Sequence, residues 1–504
     1  MKVLIANRGE IAVRVIRACR ELGLPTVAVY SDCDRASLHV RYADEAYALG
    51  GNAPADSYLR VDKLIDIARR AAADAVHPGY GFLAENEEFA AACADAGLTF
   101  IGPSPRAMAV MGSKTAARQS ARDAGVRVVP GTIEPFDPAT ADAAIGEAAL
   151  EIGYPIFVKA VAGGGGKGMR LVREASELPS AIRAARSEAG SSFGDPAIYL
   201  ERQLDRPRHV EIQLLGDHAG TIIPFAEREC SIQRRHQKVL EESPSVAVGR
   251  ETRKALADAA VAVAKAVGYT NAGTIEFLLD AQGEFYFLEM NTRLQVEHPI
   301  TELVSGVDLV TWQIRVARGE KLTLSPDATL EPRGHAIECR IYAEDPDNNF
   351  LPSPGLLLGR RVPGGAGVRR DDGGATPGLE VPIHYDPLIA KLSAWGADRS
   401  EAIARISRAL GEYEVRGIRT SIPFFRWLLA QEDFREGRFD TTFLDRELSR
   451  RDGEPFVTVP AEAERVALLA AAIEACERSS IPSRSVKPSQ QGAWKRQGRV
   501  EGLR

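Results

Sequence analysis

Apolar positions in the first hundred residues follow two rhythms. The short runs KVLIAN, PTVAVYS, AVHPGYG and LTFIGP read as strands, and Gly9 to Arg20 between the first two has helical periodicity. Strands alternating with helices predict a parallel, Rossmann-like sheet over residues 1–112. No G-x-G-x-x-G follows the first strand, so a dinucleotide site lacks its phosphate-binding turn.

Residues 113–130 read as a helix leading to a loop. A second unit spans about 131–203: YPIFVKAV, AGGGGKGMR, the helical ELPSAIRAARSEAG and the strand AIYLERQL. Residues 204–330 are mixed, with a hairpin near 273–291. Residues 331–447 are rich in turns and carry a helix at 399–411. The character changes at RRDGEP, which opens an extension over 448–504. There PAEAERVALLAAAIEAC predicts a helix, and residues 479–504 hold six Lys/Arg against the single acid Glu501. That extension is expected either to dock a partner chain or to be disordered.

Composition narrows the class. With 504 residues, 45% apolar and 26% charged, there is material for a large core or about three domains. Lys plus Arg is 63 and Asp plus Glu is 69, a net charge of −6 that argues against a general nucleic-acid binder. No run approaches the ~18 apolar residues of a membrane helix. The cysteines Cys19, Cys33, Cys93, Cys230, Cys339 and Cys476 include no C-x-x-C pair, which disfavours a zinc ribbon or a disulfide scaffold and fits a reducing cytoplasm.

Three stretches carry candidate chemistry. In the first, VAGGGGKGMR over Val161–Arg170, consecutive glycines let backbone N–H groups approach phosphate oxygens. Lys167 is followed by Gly168, not Ser or Thr, so this is no Walker A loop, and a lid over a nucleotide fits better. Strand alternation puts Lys159 on the face of Phe157 and Val161, where a phosphate would supply its counter-charge.

The second is GTIEFLLDAQGEFYFLEMNTRLQVEHP. Pairing Asp280 with Gly283 sets Glu276 opposite Phe287, with Glu289 diagonal and Asn291 continuing that face beside Phe285 and Phe287. Two carboxylates and an amide oxygen suit Mg²⁺ or Mn²⁺ with nucleotide phosphates. If the strand runs on, Arg293, Gln295 and Glu297 follow on the same side, a fork for a small oxyanion next to a base. The third stretch, RECSIQRRHQKVLEESPS, gathers Arg228, Arg234, Arg235, His236 and Lys238, a cluster suited to an anionic substrate or to a solvated turn. Cys230 reads as a small buried hydrophobe rather than a reactive thiol.

Together with IANRGEIAVRVIRACRELG and HPGYGFLAEN, these stretches resemble the biotin carboxylase family of the ATP-grasp fold, in the family's order over about residues 1–447. The resemblance implies an α/β chain: a Rossmann-like N-terminal domain (1–112), an ATP-grasp domain (113–330, lid at about 131–203) and a C-terminal α+β lobe (331–447). It implies that ATP and bicarbonate give carboxyphosphate, whose CO₂ passes to biotin on a carrier. Lys114, Lys159 and His209 would then contact ATP phosphates or ribose, with Gly165 and Gly166 closing over them. Glu201, Arg202 and Leu204 would lie at the adenine, and Gln233 and His236 also at the nucleotide. Glu276, Glu289 and Asn291 would hold two Mg²⁺ or Mn²⁺ ions. Lys238, Arg293, Gln295 and the Val296 backbone would hold bicarbonate for deprotonation by Glu297. Arg340 would stabilise the biotin enolate, with Tyr80 on the biotin side. Implied partners are a biotin carboxyl carrier protein, carboxyltransferase subunits and a second copy in a homodimer, with no nucleic acid and no membrane.

Two alternatives differ by motif. Carbamoyl-phosphate-type and amino-acid ligases of the same fold lack MNTRLQVEHP, and a non-catalytic nucleotide-binding regulator should lack one of Lys238, Arg293, Glu297 or Arg340; all are present. None of the five methionines forms the Met-Lys-Met that carries biotin, so the carrier and the acyl-transfer site are expected on other chains. The acceptor stays open between acetyl-CoA and a pyruvate, propionyl-CoA or related carboxylase.

Overall fold

The computed structural model describes residues 1–161, 168–374 and 377–480. The N-terminal strands β1 (Val3–Ile5), β2 (Thr26–Tyr30), β3 (Glu45–Ala48), β4 (Ala75–His77) and β5 (Thr99–Phe100) form a parallel sheet in the order β3-β2-β1-β4-β5. Helices α1 (Gly9–Glu21), α2 (Val61–Arg70) and α3 (Glu87–Asp95) belong to the same region. β3 is an addition to the expected set. Its EAYA alternates half-buried and exposed at the sheet edge, so it lacks the continuous apolar run that marks the inner strands.

Helix α4 (Lys114–Asp123) leads to a small subdomain. There β6 (Ile156–Ala160) lies between β7 (Met169–Val172) and β8 (Ile198–Arg202), backed by α5 (Asp142–Ile152) and α6 (Leu178–Phe193) around Ile145, Ile156, Val158, Ile182 and Leu200. α5 was not legible as a helix: DAAIGEAALEI buries only Ile145 and Ala149. Gly168 has φ +71, and a Cβ there would stand 2.7 Å from that of Ala160, so glycine permits the close approach that rejoins β7 to β6.

The largest sheet is antiparallel. Its main path runs through β9 (Arg208–Gly216), β10 (Arg228–Arg234), β11 (Gln237–Ser243), β12 (Asn271–Leu279), β13 (Phe285–Asn291), β14 (His335–Tyr342), β15 (Val368–Asp372) and β16 (Leu388–Gly396), ordered β13-β12-β9-β10-β11-β14-β16-β15, and the short strand Ile222–Pro224 also pairs with β9. Helix α7 (Arg250–Ala266) packs against Val210, Ile212, Ile275, Phe277 and Phe287 on one face. α8 (His298–Ser305) covers part of the other side, and α9 (Arg399–Glu412) packs on β14 and β16. The chain divides into Met1–Glu454 and a second unit from Pro455, in which α10 (Ala461–Ser480) is described. Among the described residues, no helix is long and apolar enough to cross a membrane.

Candidate active site

β9 shows how the site arises. His209, Glu211 and Gln213 alternate with Val210, Ile212 and Leu214, so one face is apolar and packs on the core while the other is polar. Glu276 of β12 pairs directly with Glu211 on one side and with Glu289 of β13 on the other. Arg228 of β10 faces Glu211 from the next strand. Three carboxylates therefore stand on one rung, with an arginine at its end.

This register corrects the sequence expectation. A bulge between Glu276 and Phe277 sets Glu289, not Phe287, opposite Glu276. Phe287 pairs with Phe277 on the core face, and Phe285 packs edge-on against Phe277 there. The carboxylates are thus separated from the two phenylalanines by the sheet. Counting back from the DAQG turn assumes an unbroken ladder, and a bulge is invisible to that count.

Above the rung sits Lys238. Its Nζ donates to Glu211 at 2.6 Å, Glu276 at 2.7 Å and Glu297 at 2.8 Å. Burial disfavours this ammonium, but the three carboxylates raise its pKa well above the ordinary lysine value. Burial likewise opposes ionisation of Glu276, yet Lys238 and His209 hold its carboxyl below the usual range. His209 Nε2 lies 3.0 Å from Glu276, and Gln233 Nε2 is 2.9 Å from His209 Nδ1.

The run after β13 ends in a turn, with Glu297 at φ −81°, ψ 12° just before α8. An extended strand through Glu297 does not form, but the turn still brings Glu297 to Lys238. Arg340 of β14 donates to Glu297 at 3.0 Å and, through Nε, to Glu241 at 2.7 Å. Burial opposes ionisation of Glu297, but Lys238, Arg340 and Arg228 hold its carboxyl well below the carboxylate range. Arg293 bonds Glu85 at 2.7 Å, Asn291 Oδ1 at 3.1 Å and Gln295 Oε1 at 3.1 Å. Asn291 Nδ2 in turn donates to Glu276 at 2.8 Å.

Several of these groups line one cleft of about 1340 Å³, while Glu211, Glu241 and Glu297 are fully buried and stand outside its lining. Lys114, Lys159, Glu201, Arg202, Leu204, His209, Gln233, His236, Lys238, Glu276, Glu289, Asn291, Arg293, Gln295, Val296 and Arg340 all reach it. Lys159 already has a counter-charge: its Nζ pairs with Glu201, which also accepts from Arg118 at 2.8 Å. Lys114 Nζ stands 3.5 Å from Glu289. Gly165 and Gly166 lie outside the described residues.

Tyr80, expected on the biotin side, is not among these lining residues; its ring lies under the Lys391 ammonium, 5.6 Å away, and packs on the core around α1. One further expectation needs correction. Arg228 does not face an anionic substrate. It is fully buried and bonds Glu211, Gln213, Thr301 and Thr274, so it braces the sheet. The basic stretch is a β10–β11 hairpin whose tip residues Arg235 and His236 both have positive φ, 52° and 64°, as a two-residue primed turn requires. Cys230 is buried, and burial pushes its thiol well above the ordinary value.

Sequence reasoning missed Glu85, Glu211, Glu241, Arg118 and Lys391. Glu211 had a signal in the period-2 alternation of HVEIQL. Glu85 comes from the N-terminal domain and Lys391 from β16, contacts that local patterns cannot foretell.

Residues 1–108 match the family described as biotin carboxylase, N-terminal domain, and residues 338–446 match the biotin carboxylase C-terminal domain. Residues 113–325 between them match the carbamoyl-phosphate synthase L chain, ATP binding domain. Biotin carboxylase 1 of Bacillus subtilis is 52% identical over 448 residues, 88% of this chain and 98% of that protein. The chain belongs to the biotin carboxylase family. It is an ATP-dependent ligase of the ATP-grasp fold. A pyruvate carboxylase subunit of Methanothermobacter thermautotrophicus is 49% identical over 485 residues, 96% of each chain. Among solved structures, a Campylobacter jejuni biotin carboxylase–β-γ-ATP complex superposes with a TM-score of 0.85 at 45% identity, covering 88% of this chain and 98% of that one. The biotin carboxylase domain dimer of Hydrogenobacter thermophilus 2-oxoglutarate carboxylase, with MgADP, ADP and bicarbonate, gives 0.86 at 44% identity over 91% and 99%.

Proposed function

We propose that this biotin carboxylase uses ATP to activate bicarbonate as carboxyphosphate and transfers the CO₂ unit to biotin presented by a carrier protein. The observation that carries the reading is the joint hold on Glu297 by Lys238 and Arg340. With both cations on it, Glu297 is ionised and a weak base. Bicarbonate entering beside Arg293, Gln295 and Val296 competes for Lys238, and loosening that pairing raises the basicity of Glu297 where a proton must be taken. Removing that proton in a fixed orientation turns a poor nucleophile into a usable one.

Lys114, Lys159, His209 and His236 are assigned to the nucleotide, with Glu201, Arg202, Leu204 and Gln233 around it. Glu276, Glu289 and Asn291 are the residues that would hold Mg²⁺ or Mn²⁺. The donors are oxygens, and two ammonium groups now stand against the two carboxylates, Lys238 at 2.7 Å and Lys114 at 3.5 Å, as cations are needed there. Asn291 fits once its amide turns its oxygen inward, a choice open to any amide. Bound ions would neutralise charge on the phosphoryl group. Arg340, anchored by Glu241, remains free to meet negative charge developing on the biotin ring once Glu297 has gained a proton.

The acceptor reading is acetyl-CoA carboxylase, with a carrier protein, carboxyltransferase subunits and a second copy of this chain as partners. The Hydrogenobacter domain dimer supports the last. A cytoplasmic location accompanies this reading, supported by Cys19, Cys93, Cys230 and Cys339, which stand as buried free thiols. Membership of a pyruvate carboxylase is compatible with the same chemistry: the match to the Methanothermobacter protein covers 96% of this chain and so must extend past Glu454, whereas the match to Biotin carboxylase 1 covers 88%. The test is ADP release with free biotin, with and without bicarbonate. Strict dependence on bicarbonate is expected; equal release without it rejects the reading.

A further inference from the structure

Beneath the cleft, one face of the large sheet carries a buried charged layer. Arg340 of β14 pairs directly with Lys391 of β16, and Lys391 with Asp371 of β15. Lys391 is completely buried. Its Nζ donates to the carbonyl of Val296 at 2.7 Å and lies 3.2 Å from Glu10 of α1. Arg340 meanwhile holds the Glu297 side chain. Two cations on one rung thus grip two consecutive residues, one by its main chain and one by its side chain.

Residues 296 and 297 belong to neither strand nor helix, so no backbone ladder sets their geometry. The Val296 carbonyl and the Glu297 N–H share one rigid peptide plane. Holding that carbonyl fixes the orientation from which the Glu297 side chain departs. A buried ammonium is costly to desolvate, and an apolar side chain of similar volume would fill the space without that cost. A lysine whose Nζ reaches a loop carbonyl suits an orienting role better than a packing one.

We propose that Lys391 is a positioning residue for the bicarbonate step: its ammonium fixes the peptide joining the bicarbonate edge at Gln295–Val296 to Glu297. The inference rests on the carboxylation reading given above. Lys391 touches no substrate and acts through the 296–297 turn. Glu10 acts as its counter-ion and does not touch the turn.

Two variants test it, Lys391→Gln and the double variant Lys391→Met with Glu10→Gln, which removes both buried charges together. Either should raise the bicarbonate KM by about 10-fold or more, the loss expected for a charged hydrogen bond, and leave the ATP KM within about twofold. Glu10→Gln alone retains the lysine–carbonyl bond and should leave the bicarbonate KM near its normal value. A folded variant at Lys391 with an unchanged bicarbonate KM overturns the inference, and so does an equal rise in both KM values. Absence of bicarbonate-dependent turnover in the unmodified chain is a different failure, which rejects the carboxylation reading and this inference with it.

Discussion

Glu297 is the residue on which the chemistry turns, and its surroundings set what its loss should do. Lys238 and Arg340 hold it ionised, so Glu297→Gln removes the base while leaving its volume. Bicarbonate-dependent ADP release should fall by about 10²–10⁴-fold, with nucleotide binding retained because the ATP-facing lysines are elsewhere in the cleft. Turnover within a few-fold of normal would remove Glu297 from its role. Arg340→Ala should damage carboxylation of free biotin more than ATP binding; equal losses in both assays count against an enolate role. At this scale the sequence was most legible. Arg293, Gln295 and Glu297 were readable from a spacing of two, although the strand that justified the spacing ends in a turn. Lys238 was readable as a member of the basic stretch, while its bicarbonate role and Arg340 came from the family resemblance. Glu85, Glu241 and Lys391 were unreadable because each acts across a tertiary contact between separate elements.

Among the elements, the β12–β13 hairpin and the β11–β14 pair carry distinct consequences. The bulge turns Glu289 onto the rung of Glu276, and its side chain remains 39% exposed beside Lys114. Glu289→Gln should therefore weaken Mn²⁺ activation by about 10-fold or more while moving stability by no more than about 0.5 kcal/mol. Metal titration and a melting curve of one preparation check both. Across β11 and β14, Glu241 and Glu338 face each other fully buried. Burial, against the pull of Arg340 and Lys391, pushes Glu241 up to about 7 and Glu338 up to about 8. The folded chain then binds protons more tightly than the unfolded one, so this pair costs stability as pH rises from the free carboxylate range through about 8. Glu338→Gln should be more stable than the unmodified chain by ~1–3 kcal/mol at pH 9, with the gain gone near pH 4.5. A difference independent of pH would show that the pair is not protonated in the fold. Nothing in IECRIYAED signals this pairing, because register between distant strands is a property of the sheet.

At the scale of the whole molecule, the catalytic groups all come from Met1–Glu454, whose hydrophobic cores are built from its own residues. Its long antiparallel sheet supplies the rung and the clamp, and the turn between β4 and α3 of the N-terminal region contributes Glu85, which accepts from Arg293 and from the Thr292 amide at 2.9 Å. The alternation of strands and helices predicted that parallel sheet, and the hydrophobic runs gave its inner strands; the edge strand β3 and helix α5 escaped because they bury too little apolar surface to leave a pattern. The second unit is different in kind. α10 exposes Val466, Leu468, Leu469 and Ile473, each more than 60% accessible. Ending the chain after Glu454 should therefore leave the bicarbonate and ATP KM values and the carboxylation rate of free biotin within about twofold, as expected for removal of a separate unit. The melting temperature of the shortened chain should stay close to that of the full one. A large drop in either would mean that residues from 455 onward support the catalytic unit, and a loss confined to carrier-bound biotin, with free biotin still carboxylated, would assign them to partner docking.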